Sequence, residues 1–197
     1  MTDTTREQWL ITAATIIEHN VLLPAINKSK YSLPQPLKYK VSMGFPKSRK
    51  AIGECWTRKA SKGEYNAIFI NPTINDSIRV LDVLTHELIH ASDDNKSRHQ
   101  NYFAGVARAC DLQGKFTATH AGDKLTEQLL DIIDVLGDIP HTPLSATYQP
   151  KPKQTSRMIK VLCSHCGFNF RASQTQIDRI TSSTCNACNS NTLATTN

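Results

Sequence analysis

Three side chains in the stretch LTHELIHASDDNKSRHQNYF have the types and spacing of a metal-dependent hydrolytic site. His86 and His90 stand four apart with Glu87 directly after the first, the pattern His-Glu-x-x-His. On a helix, residues at i and i+4 project from one face, so both imidazoles can bind one zinc ion. The glutamate then reaches a zinc-bound water, whose pKa the ion brings towards neutrality, and takes its proton as it attacks a carbonyl. The chemistry read here is hydrolysis, with His86 and His90 as ligands and Glu87 as general base.

A catalytic zinc takes a third protein ligand and keeps one position open. A metzincin would carry Gly at 93 and His at 96, but this chain has Asp93 and Lys96, which excludes that class. His99 is the preferred third ligand, because a tight turn in the short polar loop ASDDNKSR would return it to the pair. Glu127 and His120 are the other candidates, while His19 and His141 read as surface residues. The competing reading is a polar helix face that holds no metal. Leu81, Leu84 and Leu88, which fall on a separate and buried face of the same helix, weigh against it.

A second constellation lies near the C-terminus. Cys163, Cys166, Cys185 and Cys188 form C-x2-C-x18-C-x2-C, the spacing of a structural zinc held by four thiolates. With no signal sequence ahead of them, the six cysteines do not read as a disulfide set. Cys55 and Cys110 stand alone in apolar surroundings as buried thiols, and His165 inside the first knuckle reads as a surface residue. Basic residues surround the four-cysteine segment: Lys151, Lys153, Arg157, Lys160, Arg171 and Arg179. Phe168 and Phe170 alternate with Asn169 and Arg171, so Lys160, Phe168, Phe170, Arg171 and Arg179 are candidate contacts to stacked bases and phosphates. The competing reading makes the phenylalanines the small core of the module.

Elements must position these groups. A helix is expected from about Thr5 to Asn20 with Trp9, Ile16 and Ile17 facing the core. Three strand-like runs follow, LKYKVSMGF, AIGECWTR and YNAIFINP. NPTINDS stops the last and offers Asn75 or Asp76 as cap for the helix Ser77 to about Ala91 that carries the first site. Two more helices are expected, from about His99 to Leu112 and from Asp123 to Leu136. His141 to Arg157, with three prolines, reads as a linker. The segment 158–197 is too small to hold together on apolar burial alone.

The 197 residues carry a net charge of +6, unevenly spread. Residues 1–80 have 12 Lys/Arg against 6 Asp/Glu, residues 81–150 have 5 against 10, and residues 151–197 have 6 against 1. Between Lys28 and Lys62 ten basic residues meet only Glu54. Two basic zones around an acidic middle suit a polyanion, with nucleic acid the leading partner and a solvated basic surface the plain alternative. No membrane partner is expected, because no run approaches the ~18 apolar residues of a spanning helix. The N-terminus lacks the parts of a signal peptide, which places the protein in the cytoplasm.

HELIHASDDNKSRHQNYF resembles the SprT-like metalloproteases, whose pattern is His-Glu-x-x-His, a variable loop, then His-Gly-x-x-Phe. His86, Glu87, His90, His99 and Phe103 fall on that pattern, with Gln100 where the family has glycine. AIFINPTI resembles the strand ahead of the family's active-site helix, and CDLQGKFTATHAGDKL the segment after it in phage and bacterial members. The resemblance covers roughly Leu37 to Leu125, with a zinc ribbon following as in many members. It implies an α+β chain in which a small zincin-like metalloprotease domain, helices plus a three-stranded antiparallel or mixed sheet, spans 1–140. After a linker over 141–157, a four-cysteine ribbon spans 158–197. It also implies one catalytic and one structural zinc, and an endopeptidase cutting proteins bound or crosslinked to DNA, single-stranded or at single/double-stranded junctions. The alternatives are a nucleic-acid-binding adaptor that keeps the protease domain as scaffold, and a zinc hydrolase for another amide or ester.

Overall fold

The structure is a computed structural model that describes residues 4–48, 50–145, 158–179 and 183–196. The chain forms two compact units, Met1–Ala146 and Thr147–Asn197. Both are mixed or β-rich, and together they give an α+β protein with a three-stranded mixed sheet in the first unit.

In the first unit, Thr5 caps α1 (Arg6–Ile17) by accepting from Gln8 N at 3.2 Å. Trp9 and Ile17 are buried as expected, while Ile16 is half-buried. The helix does not stop at Asn20. A π-helical turn over Glu18–Leu22 leads straight into α2 (Leu23–Lys28). Pro24 explains the irregularity, because proline lacks the N–H an α-helix requires and its ring clashes with the carbonyl four residues back. Widening the preceding turn lets the helix continue past it. The continuous helical run Arg6–Lys28 is long and apolar enough to cross a membrane, contrary to the sequence expectation, yet half of its most apolar window is buried inside the protein. Here α1 packs on β1 and α3.

The strands β1 (Tyr39–Met43), β2 (Gly53–Trp56) and β3 (Asn66–Ile70) form a sheet in the order β1-β3-β2, with β1 parallel and β2 antiparallel to the central β3. In β3 burial alternates, so Asn66, Ile68 and Ile70 face the core and Ala67 and Phe69 face away. The helix α3 (Ser77–Ser92) starts at Asp76, whose carboxylate accepts from Arg79 N at 2.7 Å. It crosses the core face of β2 and β3 with Leu81, Leu84 and Leu88 fully buried.

After α3 the chain differs from expectation in two places. The next helix is shorter, α4 (Asn101–Ala109), and His99 precedes it rather than opening it. Asp111, at φ 61°, turns the chain out of α4, and Leu112 opens a two-stranded hairpin, β4 (Leu112–Lys115) with β5 (Ala118–Ala121). Helix α5 (Asp123–Leu136) has the expected bounds, flanked by Gly122 and by Gly137 at φ 72°. The expected linker begins on the first unit: Leu144 N donates to Pro72 O at 2.8 Å, and His141 Nε2 lies 2.9 Å from the same carbonyl. Its remainder, 146–157, lies outside the described residues, and with it Lys151, Lys153 and Arg157.

The second unit is an antiparallel sheet of order β7-β6-β8: β6 (Ile159–Cys163), β7 (Asn169–Ala172) and β8 (Leu193–Thr196). A single-turn helix, α6 (Gln174–Ile177), is closed by a capping box between Ser173 and Gln176. Among the described residues its buried apolar core is small: Val161, Cys163, Ala172 and Cys185.

Candidate metal centres

The loop between α3 and α4 determines where His99 goes. Asp94, Asn95 and Arg98 take left-handed backbone conformations at φ 57°, 61° and 52°. Aspartate and asparagine tolerate that region better than most residues. Side chains then pin the loop to the sheet. The Asp94 carboxylate accepts from Arg58 N and Asn66 Nδ2, both at 2.8 Å, and Asn95 Nδ2 donates to Cys55 O. Asn95 N returns to His90 O at 2.8 Å. The chain thereby doubles back, and His99 Nε2 comes to 3.2 Å from His90 Nε2.

One nitrogen from each of His86, His90 and His99 lies within 4.8 Å of the others. Two ligands at ~2.05 Å from a tetrahedral zinc sit about 3.3 Å apart, so the His90–His99 separation already has the required size. His86 Nδ1 is 2.8 Å from Thr119 Oγ1 of β5, which fixes the ring and leaves Nε2 for an ion. Phe103 of α4 stacks on the His90 ring at 4.3 Å and 26°. His90 Nδ1 is buried with no hydrogen-bond partner. Burial, then His99 and Arg79, holds His86 at about 4; burial, then His86 and His99, holds His90 at about 2. Burial likewise lowers His99. All three are therefore neutral near pH 7, the form that binds metal. The donor set fits a divalent ion with three nitrogen ligands.

Glu87 lies on the same turn and is 6% exposed. Its carboxylate packs against Gly53 of β2, where an added Cβ would stand 2.7 Å from Oε1. Burial first, then the charge of Glu54, pushes the carboxyl up to about 8, against a backbone hydrogen bond from Cys55. A cleft of about 500 Å³ opens over these groups. Gly53, Glu54 and Cys55 wall one side, and Thr117, Ala118 and Thr119 of the hairpin wall another.

No family model, curated protein or solved structure matches this chain. What the site is rests on its own geometry.

The other candidates for third ligand fall elsewhere. Among the described residues neither Glu127 nor His120 joins the histidine group, and both are exposed. His141, expected on the surface, is half-buried beside Pro72 and Arg6. Gly53 and Thr119 are site residues that the sequence reading missed. Only the strand pairing and the hairpin bring them near the histidines, and neither carries a local motif.

In the second unit the four cysteine sulfurs also lie within 4.8 Å of one another. Cys163 Sγ is 3.7 Å from Cys188 Sγ, and Cys166 Sγ is 3.7 Å from Cys185 Sγ. Four thiolates at ~2.3 Å around a tetrahedral ion would be about 3.8 Å apart, so the cluster has the size of a four-thiolate zinc site and is compatible with a zinc ribbon. Hydrogen bonds from Ser190 hold the Cys188 thiol low, while hydrogen bonds to the neighbouring thiols hold Cys166 high.

The proposed nucleic-acid contacts divide between two faces. Lys160 pairs with Arg171 across β6 and β7, while Phe170 pairs with buried Val161 on the opposite face and lies 6.1 Å from Phe168. Phe168 is 41% exposed and Phe170 half-buried. Arg179 is exposed just beyond α6.

Proposed function

We propose that the chain is a zinc-dependent endopeptidase of SprT-like type, with a small zincin-like domain, that cuts proteins bound or crosslinked to DNA. The observation that carries this reading is the convergence of His86, His90 and His99 beside the buried carboxylate of Glu87 on the floor of an open cleft. The DNA part rests on the basic zone Lys28–Lys62, on Lys160, Arg171 and Arg179, and on the resemblance.

His86, His90 and His99 would hold the catalytic zinc, and Cys163, Cys166, Cys185 and Cys188 a structural one. When bound, the catalytic ion supplies a Lewis acid that acidifies water and polarises a carbonyl. The protein supplies the rest. Thr119 orients the His86 ring, Phe103 and burial keep the imidazoles neutral, and Gly53 leaves room for the base. Glu87 would accept the proton of the attacking water and hand it on to the leaving amine.

The test is cleavage of a DNA-binding protein by wild type and by Glu87→Gln, with and without single-stranded DNA, with zinc content measured on both. Support is DNA-stimulated cleavage that the variant loses while about two zinc ions per chain remain. Two inactive proteins that both bind DNA would instead favour the adaptor reading.

A further inference from the structure

Among the described residues, α1 and α3 pack on one face of the first unit's sheet. Val41, Cys55 and Ile68 join the core beneath α1 and α3. The residues between them point the other way. Tyr65, just ahead of the central strand, and Ala67 and Phe69 on it follow one another at period two, each half-buried. Register places exposed Lys40 and exposed Trp56 on either side of Ala67, and Ser42 and Glu54 on either side of Phe69.

Three aromatic rings therefore share a face with a cation, around the low floor left by Ala67. They are also held in position. Trp56 Nε1 donates to Glu54 Oε2 at 2.9 Å, an oxygen that also accepts from Lys47 N at 2.8 Å. Lys40 Nζ lies 4.3 Å from the centre of the Tyr65 ring. The Phe69 ring lies over Gly44, where any Cβ would stand 2.7 Å from it. Trp56 remains 39% exposed although it is hydrogen-bonded, and the surface belongs to the segment in which ten basic residues meet one acid.

We propose that this sheet face is a stacking platform for single-stranded nucleic acid, with Trp56 and Phe69 receiving bases and Lys40 and Lys47 receiving phosphates. Base–aromatic stacking beside cations is the general solution for unpaired strands, whose bases are free to leave their own stack. A duplex hides its bases and would leave the indole unused. Charge complementarity selects nucleic acid over an apolar peptide. The platform shares β2 with the cleft: Gly53 and Cys55 face Glu87 and the core, Trp56 lies on the opposite side of the same strand, and Glu54 borders both, lining the cleft and accepting from Trp56 Nε1. A strand on the platform is thus one sheet thickness from the hydrolytic groups, a consequence that rests on the peptidase reading; the binding itself does not.

The experiment is titration of the full zinc-loaded chain with ~12-nucleotide oligothymidylate, a length within the usual single-strand site sizes. It is followed by tryptophan fluorescence and by anisotropy of a labelled strand, in wild type and in Glu87→Gln, so loss of the peptidase reading leaves the readout intact. Trp9 is buried in the core, so quenching reports Trp56. We expect quenching in both proteins, about tenfold weaker binding in Trp56→Ala with partial recovery in Trp56→Phe, and a shallower salt dependence in Lys40→Glu. Unchanged affinity in Trp56→Ala, with circular dichroism and zinc content intact, would overturn the platform. So would equal quenching by polyglutamate, which carries charge without bases and would make the face a site for acidic protein.

Discussion

Thr119 and Glu87 show what single groups contribute to the histidine site. Thr119 Oγ1 holds His86 Nδ1 at 2.8 Å. Replacing it with valine keeps the shape and removes the partner, so metal affinity should fall about 10- to 100-fold, read by competition with a chelating dye. Unchanged affinity would mean that the ring is fixed by packing alone. Glu87 makes a pH prediction with a definite sign. Its carboxyl is raised in the fold from an ordinary value of 4.5 to about 8. The folded protein therefore binds the extra proton between those values, and wild type loses stability as pH rises through them. In chelator, Glu87→Gln should be more resistant to urea than wild type at pH 8, by about 4 kcal/mol. The two curves should converge near pH 4.5, and a difference independent of pH would refute the burial argument. The histidines titrate in both proteins and cancel in the comparison.

At the scale of elements, β2 and the hairpin turn a helical motif into a site. A methyl at Gly53 would stand 2.5 Å from Val83 Cγ1 and 2.7 Å from Glu87 Oε1. Gly53→Ala should cost about 1–3 kcal/mol of stability by overpacking. On the proposed peptidase reading, in which the displaced group is the base, it should also depress turnover per bound zinc; thermal melts and zinc-normalised rates measure the two effects separately. Nothing around Gly53 in the sequence announces this, since the contact exists only once β2 pairs with β3 against α3. By contrast, α3 and α5 were legible because capping residues, glycines and apolar spacing agree locally. The hairpin was not, since LQGKFTATHA has neither a strong turn pair nor clean alternation. The continuation through Pro24 escaped for the opposite reason: a proline normally ends a helix, and only the π-turn shows how this one avoids it. The His99 loop was legible in outcome, because polar residues that accept left-handed conformations permit the return. Its anchors on Arg58, Asn66 and Cys55 were not, since all three are distant in sequence.

For the whole molecule, the two units should respond differently to loss of metal. The first is built on a large apolar core from Trp9 to Ile139, in which the histidine site takes up only one side of α3. Among its described residues the second buries little besides Val161, Ala172, Cys163 and Cys185, too little apolar surface to offset the conformational entropy of its chain. On the proposed reading, its fold draws on the binding energy of an ion held by the four thiolates. Hydrogen exchange of the full chain in strong chelator should show β6, β7 and β8 exchanging at once, while α3 and β3 remain protected. Cys185→Ser should reproduce the first effect without chelator and lower bound zinc by about one ion per chain, leaving the His86–His90–His99 site loaded. Retained protection of β6 in chelator would show that the ribbon stands on its hydrogen bonds alone. Loss of protection in α3 would show that the histidine site holds its helix in place, rather than the helix holding the site.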